Sequence, residues 1–412
     1  MNARLALSSG PLAHADYRYL VSGATVSALG NAITPVALAF AVLDLGGSAT
    51  DLGLVVSAFA AAEVLTVLAG GVLGDRLPRQ LMLQGSAAAA AVFQALIAVA
   101  LIAGWATIPL LAVGGVLNGC LGALSGPSSS ALTRQTVPAD ELAKAVAIRR
   151  LAQNGSMVIG FSGAGSLVAA FGSGWAIAVD AATFAVAALC FGLIRVPRAV
   201  HLDKAPSLIG DLRAGAAEVF RHTWLWLLIG QALLYHLFYG GVQGVLGPIV
   251  VGDSLGRSAW GWALGALMLG FIIGGLLTLR WRPRRGLFVG TALLALTAAF
   301  PLAMALSDHL PLLLLGAFLH GFGLEIFSVN WDLSIQQNIP EDKLARIYSF
   351  DIVGSYVARP LGLVVTGPIA TVVGFDRWLL VVAAVMGGSA LLSLMSPAVR
   401  RLERRSEVAA MV

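Results

Sequence analysis

Charge is what this sequence has least of. Only 11% of its 412 residues are Asp, Glu, Lys or Arg, less than half of the roughly 25% found in a soluble domain, and that leaves too little polar surface to face water. Disordered chains, coiled coils and nucleic-acid binders all need a density of charge that is missing here. Cysteine is scarce too. Cys120 and Cys190 both fall inside apolar runs, where a small buried hydrophobe is the simplest reading, so no disulfide or metal framework is implied. The lysines are Lys144, Lys204 and Lys343, none preceded by glycine, which excludes a phosphate-binding loop ending in Gly-Lys and ATP hydrolysis with it. There is no C-x-x-C, no H-E-x-x-H and no glycine-rich fingerprint following a soluble strand. No enzyme chemistry, cofactor or metal is expected.

What the chain does have is apolar residues, 58% of the total, gathered in pieces of about 20, the length that crosses a hydrocarbon core. Twelve such spans are predicted, at 20–43, 52–74, 80–104, 107–133, 151–171, 174–194, 225–250, 258–279, 286–306, 310–334, 347–371 and 378–399. The first run is too long for the core of a cleavable signal peptide and is expected to be retained. The fold class is an all-α membrane protein, multi-pass in the cell membrane, with the lipid bilayer as its partner.

Orientation follows from Lys and Arg, because basic residues near span ends resist translocation. Apart from Arg257, Arg377 and Arg359, all 26 lie in the two tails or in the connections that leave even-numbered spans. Both termini are therefore expected to be cytoplasmic, and the basic balance is a matter of topology rather than of a nucleic-acid partner.

The longest polar connection, Arg195 to His222, divides six spans from six. It sets the expected organisation: a half at 1–194, a linker at 195–222 and a second half at 223–412. Leu208, Leu212, Ala216 and Phe220 recur every four residues, which predicts an amphipathic helix on the inner membrane surface. The halves repeat. Gln135, Val137, Pro138, Asp140, Leu142, Ala143 and Lys144 match Gln337, Ile339, Pro340, Asp342, Leu344, Ala345 and Arg346 at a shift of 202, and Gly70, Gly71, Leu73 and Arg76 match Gly274, Gly275, Leu277 and Arg280 at 204. A duplicated six-span unit of this kind places a substrate site where the halves meet, near the bilayer midplane, reached alternately from each side.

These residues carry a resemblance. The run Gly71, Val72, Leu73, Gly74, Asp75, Arg76, Leu77, Pro78, Arg79, Gln80 is similar to the G-x-x-x-D-R-x-G-R-R signature between the second and third spans of the major facilitator superfamily, with Pro78 in a glycine position and Gln80 in a basic one. Gly160 to Gly165 resembles the antiporter signature G-P-x-x-G-G, with Phe161 in the proline position. Within the superfamily the pattern resembles the exporter branch that includes the enterobactin exporter and actinobacterial multidrug pumps. The resemblance implies the major facilitator fold, two pseudo-symmetric six-helix halves, and a gate. Gly71, Asp75, Arg76 and Arg79 are the gating candidates, a latch near the start of span eleven, where Pro340, Glu341 and Asp342 read as a helix N-terminus.

Ionisable groups inside spans cost about 2.5 to 3.5 kcal/mol each on the insertion scale and need a reason to be there. Glu63, Glu325, Asp332 and Asp180 are the proton-coupling candidates, since a carboxyl that releases its proton only on meeting water or substrate can couple two fluxes. Asp180 can equally satisfy itself on a neighbouring backbone, Asp351 can pair with Arg359, and His320 reads more simply as a satisfied core histidine than as a relay. Substrate contacts are expected on spans one, four, seven and ten, which line the cavity in proteins of this fold. Span seven supports this without any resemblance: Gln231, Tyr235, Tyr239 and Gln243 form one polar stripe at four-residue spacing that lipid would not tolerate. Asn31, Asn118 and Asn330 join them, with polar glue between helices as the competing reading. Gly270 and Gly274 have the spacing of close helix packing.

The expected function is secondary transport: export of a small drug-like or secondary-metabolite molecule in exchange for protons by alternating access, by a monomer. The alternatives are an uptake symporter for a small nutrient or siderophore, and a non-transporting receptor or scaffold.

Overall fold

The computed structural model describes residues 10–74, 78–196 and 215–404. Among these it contains twelve helices long and apolar enough to cross a membrane, and the chain divides into two compact units, Met1–Ala205 and Pro206–Val412. Asp75 and Arg76 of the latch and Leu208 and Leu212 of the linker stripe lie outside the described residues.

In the first unit the spans are Ala15–Asp44, Ala49–Gly74, Arg79–Ile102, Ile108–Thr136, Leu142–Phe171 and Ser173–Gly192. Glycines with positive φ end several of them and open the next: Gly172 is at φ 85° between spans five and six, a conformation that costs glycine nothing. Span one packs on spans five and six, span two on span four, and span three on spans four and six. The second unit repeats this plan. Span seven packs on eleven and twelve, eight on ten, and nine on ten and twelve.

The spans of the second unit differ in being interrupted. Span seven runs as Thr223–Gly241, a π-helical turn at Val242–Leu246, then Gly247–Ser254. Span nine is Gly286–Leu294 and Ala299–Leu306 joined by a 3-10 turn at Ala295–Ala298. Span eleven breaks between Glu341–Tyr356 and Arg359–Val373, where Pro360 follows Arg359 and cannot donate to the preceding turn. Span eight (Arg257–Arg280), span ten (Leu310–Asn338) and span twelve (Phe375–Ser393) are continuous. The close packing expected of Gly270 and Gly274 is present: a side chain at either would run into the span-ten backbone at Phe318 or Phe322.

Outward faces are apolar. On span three, Val92, Leu96 and Val99 form an exposed stripe at the spacing of one helical face, suited to lipid and unsuited to water. The end of the linker docks on the second unit. Gly215 lies against the Arg346 carbonyl and Val219 is fully buried in a core with Leu225, Ile347 and Val399. The buried pair is Gly215 and Val219, one position before the expected Ala216 and Phe220. Phe220 is 67% exposed, its ring set edge-to-face against Phe350.

Candidate functional site

Each unit holds a half-open cavity in which polar groups stand among apolar ones. In the first unit it measures about 270 Å³ and is lined by Ser27 and Asn31 on span one, Ser86 on span three, Asn118 and Ser125 on span four, and Arg149 and Gln153 on span five, with Phe184 and Phe191 of span six closing it. The hydroxyls are anchored to their own helices: Ser86 Oγ donates to the Met82 carbonyl at 2.7 Å and meets Ser125 Oγ at 2.9 Å, back-bonding that satisfies a hydroxyl in an apolar helix. Arg149 Nη1 donates to Gln153 Oε1 at 3.2 Å and reaches Ser129 Oγ at 3.4 Å. Arg149 corrects the boundary of span five. It was counted with the cytoplasmic rim because the apolar run begins at 151, but span five is helical from Leu142. The Arg149 side chain is buried in the unit, 8% exposed.

Behind this cavity sits Asp180, fully buried on span six. The expectation that a neighbouring backbone satisfies it is not what the structure shows. Thr34 Oγ1 of span one and Gln94 Nε2 of span three both donate to its Oδ2, at 2.5 and 2.6 Å, while Oδ1 has no hydrogen-bond partner. These partners are 146 and 86 residues away, and only the packing of three helices brings them together.

In the second unit the cavity measures about 210 Å³. Tyr235, His236, Tyr239 and Gln243 of span seven line it with Leu267, Met268 and Phe271 of span eight, His320 of span ten, and Tyr356 and Arg359 of span eleven. Its rings form a ladder. Tyr235 stacks on Tyr239 at 5.2 Å between centroids, Tyr239 lies 4.2 Å from His320, and His236 lies 4.1 Å from Tyr356. Tyr235 Oη and His320 Nε2 are 2.7 Å apart, and His320 Nδ1 is 2.9 Å from the Thr297 carbonyl. A carbonyl only accepts, so Nδ1 carries the hydrogen, and in the neutral ring Nε2 accepts from the tyrosine. Thr297 belongs to the 3-10 turn of span nine, which is what aims its carbonyl out of the helix ladder. His320 is thus satisfied, as the sequence reading held, and also forms part of the cavity wall. The π-helical turn begins one position after Gly241, three after Tyr239, and contains Gln243. Gln231, about one turn before the cavity, is buried with Nε2 unpartnered, as is the Tyr239 hydroxyl.

The remaining candidates lie elsewhere. Asn330 lines neither of the two cavities. Ten residues beyond His320, it turns to a different side of span ten, donates to the Ile326 carbonyl at 2.8 Å and packs against Gly286 of span nine. Glu325 is half-buried and its side chain approaches Gly274 and Gly275 of span eight. Glu63 is half-buried on span two, its backbone against Gly119 of span four. Asp332 is exposed and accepts from the Tyr348 hydroxyl at 2.6 Å. Asp351 accepts from Trp331 Nε1 at 3.0 Å and from Ser355 at 3.2 Å. Arg79 is the first residue of span three. Gly71 is in the last two turns of span two.

The two cavities occupy equivalent places in the repeat. At the shifts the repeat itself shows, Asn31 corresponds to Tyr235 at 204 and Asn118 to His320 at 202. Twelve apolar spans in two units of one plan, each with a cavity that sets polar groups among apolar ones, define a multi-pass membrane protein built to admit a small molecule. The chain matches the profile described as Major Facilitator Superfamily over residues 20–274 and 231–410, and it belongs to that family, whose members are transporters and not enzymes. It is 27% identical to the multidrug efflux pump Tap of Mycolicibacterium fortuitum, over 97% of this chain and 98% of that one. To macrolide efflux protein A of Streptococcus pyogenes it is 23% identical, over 93% and 96%. The solved structure of the nucleoside transporter NupG superposes with a TM-score of 0.71 at 13% identity, over 92% of this chain and 98% of that one, a likeness of fold.

Proposed function

We propose that the protein exports a small, amphipathic, drug-like molecule in exchange for protons by alternating access, acting as a monomer with both termini cytoplasmic. The observation that carries this reading is the matched pair of cavities, one hydroxyl- and amide-lined with a guanidinium, the other aromatic. Each surface suits a moderately apolar ligand with hydrogen-bonding edges, since stacking and a few placed polar groups are how such ligands are held. The direction of transport follows the relatives named as efflux pumps.

Substrate contacts fall to Asn31, Asn118, Tyr235, Tyr239 and Gln243, with Gln231 backing the span-seven stripe. The membrane-embedded acids Glu63, Glu325, Asp332 and Asp180 are the available proton carriers. The test is accumulation of fluorescent dyes and macrolides in cells lacking their own pumps. Expression should lower accumulation of at least one compound, and collapse of the proton gradient should restore it. Unchanged accumulation across chemically varied compounds would overturn export.

A further inference from the structure

We infer that Asp180 is a proton-binding site of the N-terminal unit, loaded from the substrate cavity through Asn118 and Thr34; the inference rests on the exchange reading only for its role in transport. Three observations point to it. The first is that Asp180 is half-satisfied. Oδ2 takes both available donors, Thr34 Oγ1 and Gln94 Nε2, whereas Oδ1, equally buried, has none. A structural carboxylate in a dry interior is normally hydrogen-bonded at both oxygens or paired with a cation. This one can be held as an anion by its two donors, and a proton on the carboxyl removes a charge that nothing else offsets.

The second is the absence of a counter-charge. Asp180 has no ion pair among the described residues; of the spans packed against span six, span one presents Thr34 and Gly30 to it and span three presents Gln94. The ionisable groups of those spans are Asp16, Tyr17, Arg18, Tyr19 and Asp44 on span one, Arg79 on span three and Lys144, Arg149 and Arg150 on span five. None is bonded to Asp180. Cys190 is the other titratable side chain on span six itself.

The third is a path. A void of about 10 Å³ lies between Thr34, Gln94, Asn118, Gly114, Gly115 and Ile97, close to the smallest volume that holds one water, and it has the two or more polar partners a buried water needs. Asn118 walls both this void and the 270 Å³ cavity. A hydronium entering from the cavity passes a proton to Thr34 Oγ1 as the threonine hydrogen moves to Asp180 Oδ2. Hydronium becomes water, the hydroxyl is regenerated and the carboxylate becomes a carboxylic acid. A substrate lodged at Asn118 obstructs this entrance, which is the competition that exchange requires.

The experiment is pH-difference infrared spectroscopy of the full-length protein in lipid, read at the carboxylic-acid carbonyl stretch, together with ethidium efflux from vesicles under an imposed pH gradient. Wild type should show an acid-form band that Asp180→Asn removes. Thr34→Val should shift it by deleting one donor, and Thr34→Ser should restore it. An identical band in Asp180→Asn would overturn the proposal and leave proton exchange to another acid. If Asp180→Asn does not fold, an unshifted band in Thr34→Val overturns it instead. Loss of the band combined with wild-type ethidium movement that ignores the gradient would keep the proton site and overturn the exchange reading.

Discussion

Tyr235 and His320, 85 residues apart, share a buried hydrogen bond of 2.7 Å that ties span seven to span ten. Because His320 Nδ1 is committed to the Thr297 carbonyl, the tyrosine is the partner that satisfies Nε2. Tyr235→Phe therefore strands a buried acceptor, at a cost of about 1 to 3 kcal/mol. Thermal unfolding in detergent should show the loss, and His320→Gln should not add its full single-variant effect to it, because the two act through one bond.

Tyr239 makes the opposite case. Its hydroxyl is buried with no partner, so Tyr239→Phe should leave stability within a few tenths of a kcal/mol or raise it, since an unsatisfied group has been removed. If the hydroxyl serves the substrate, the apparent KM for an exported dye should rise about two- to tenfold, the worth of one neutral hydrogen bond. An unchanged KM would remove Tyr239 Oη from the contact set.

Span eleven meets span seven at Gly362, where an added Cβ would collide with the Leu237 carbonyl. Backbone cannot step aside as a side chain can. Gly362→Ala should lower stability by about 1 to 3 kcal/mol and reduce the yield of monodisperse protein, whereas Gly388→Ala, with nothing within 4 Å, should behave as wild type.

Glu218 clamps the linker end to the start of span eleven. The Lys343 ammonium, 3.0 Å from Oε2, hydrogen-bonds the Glu218 carboxyl and holds it below the usual carboxylate range, with Arg221 and His222 assisting. A depressed carboxyl favours the docked form above its ordinary pKa and loses that contribution as pH falls through the lowered value. A spin label at Ala217 should thus be immobile at neutral pH and mobilise in acid. Lys343→Met should move that transition to higher pH.

The fold was legible because its signal is local: a span is a run of apolar residues, and the span-seven stripe is a four-residue period that remains visible in one dimension. The repeat was legible for the same reason, as matched motifs at a near-constant shift. The polar network was not. Nothing near Asp180 in sequence announces Thr34 or Gln94, because their meeting depends on how spans one, three and six cross. Arg149 was misplaced for a simpler cause. Lys144, Arg149 and Arg150 interrupt the apolar run before 151, yet the helix begins at Leu142 and carries Arg149 into the unit. His320 could be placed in a core by its neighbours, but its share in the cavity wall depends on the 3-10 turn of span nine, which the apolar run Ala295–Ala298 does not reveal. Asn330 was grouped with the cavity by its span alone, and a helix has more than one side.

The described spans of the first unit are unbroken, whereas spans seven, nine and eleven of the second each carry an interruption. Compliance is therefore lodged on one side of the duplication. Amide hydrogen exchange in lipid should run ahead at 242–246, 295–298 and 357–358, and quiet exchange there would show these joints to be locked. Of two six-helix units built to one plan, the first is continuous through its described spans, whereas the second is jointed at three seams that border the aromatic ladder.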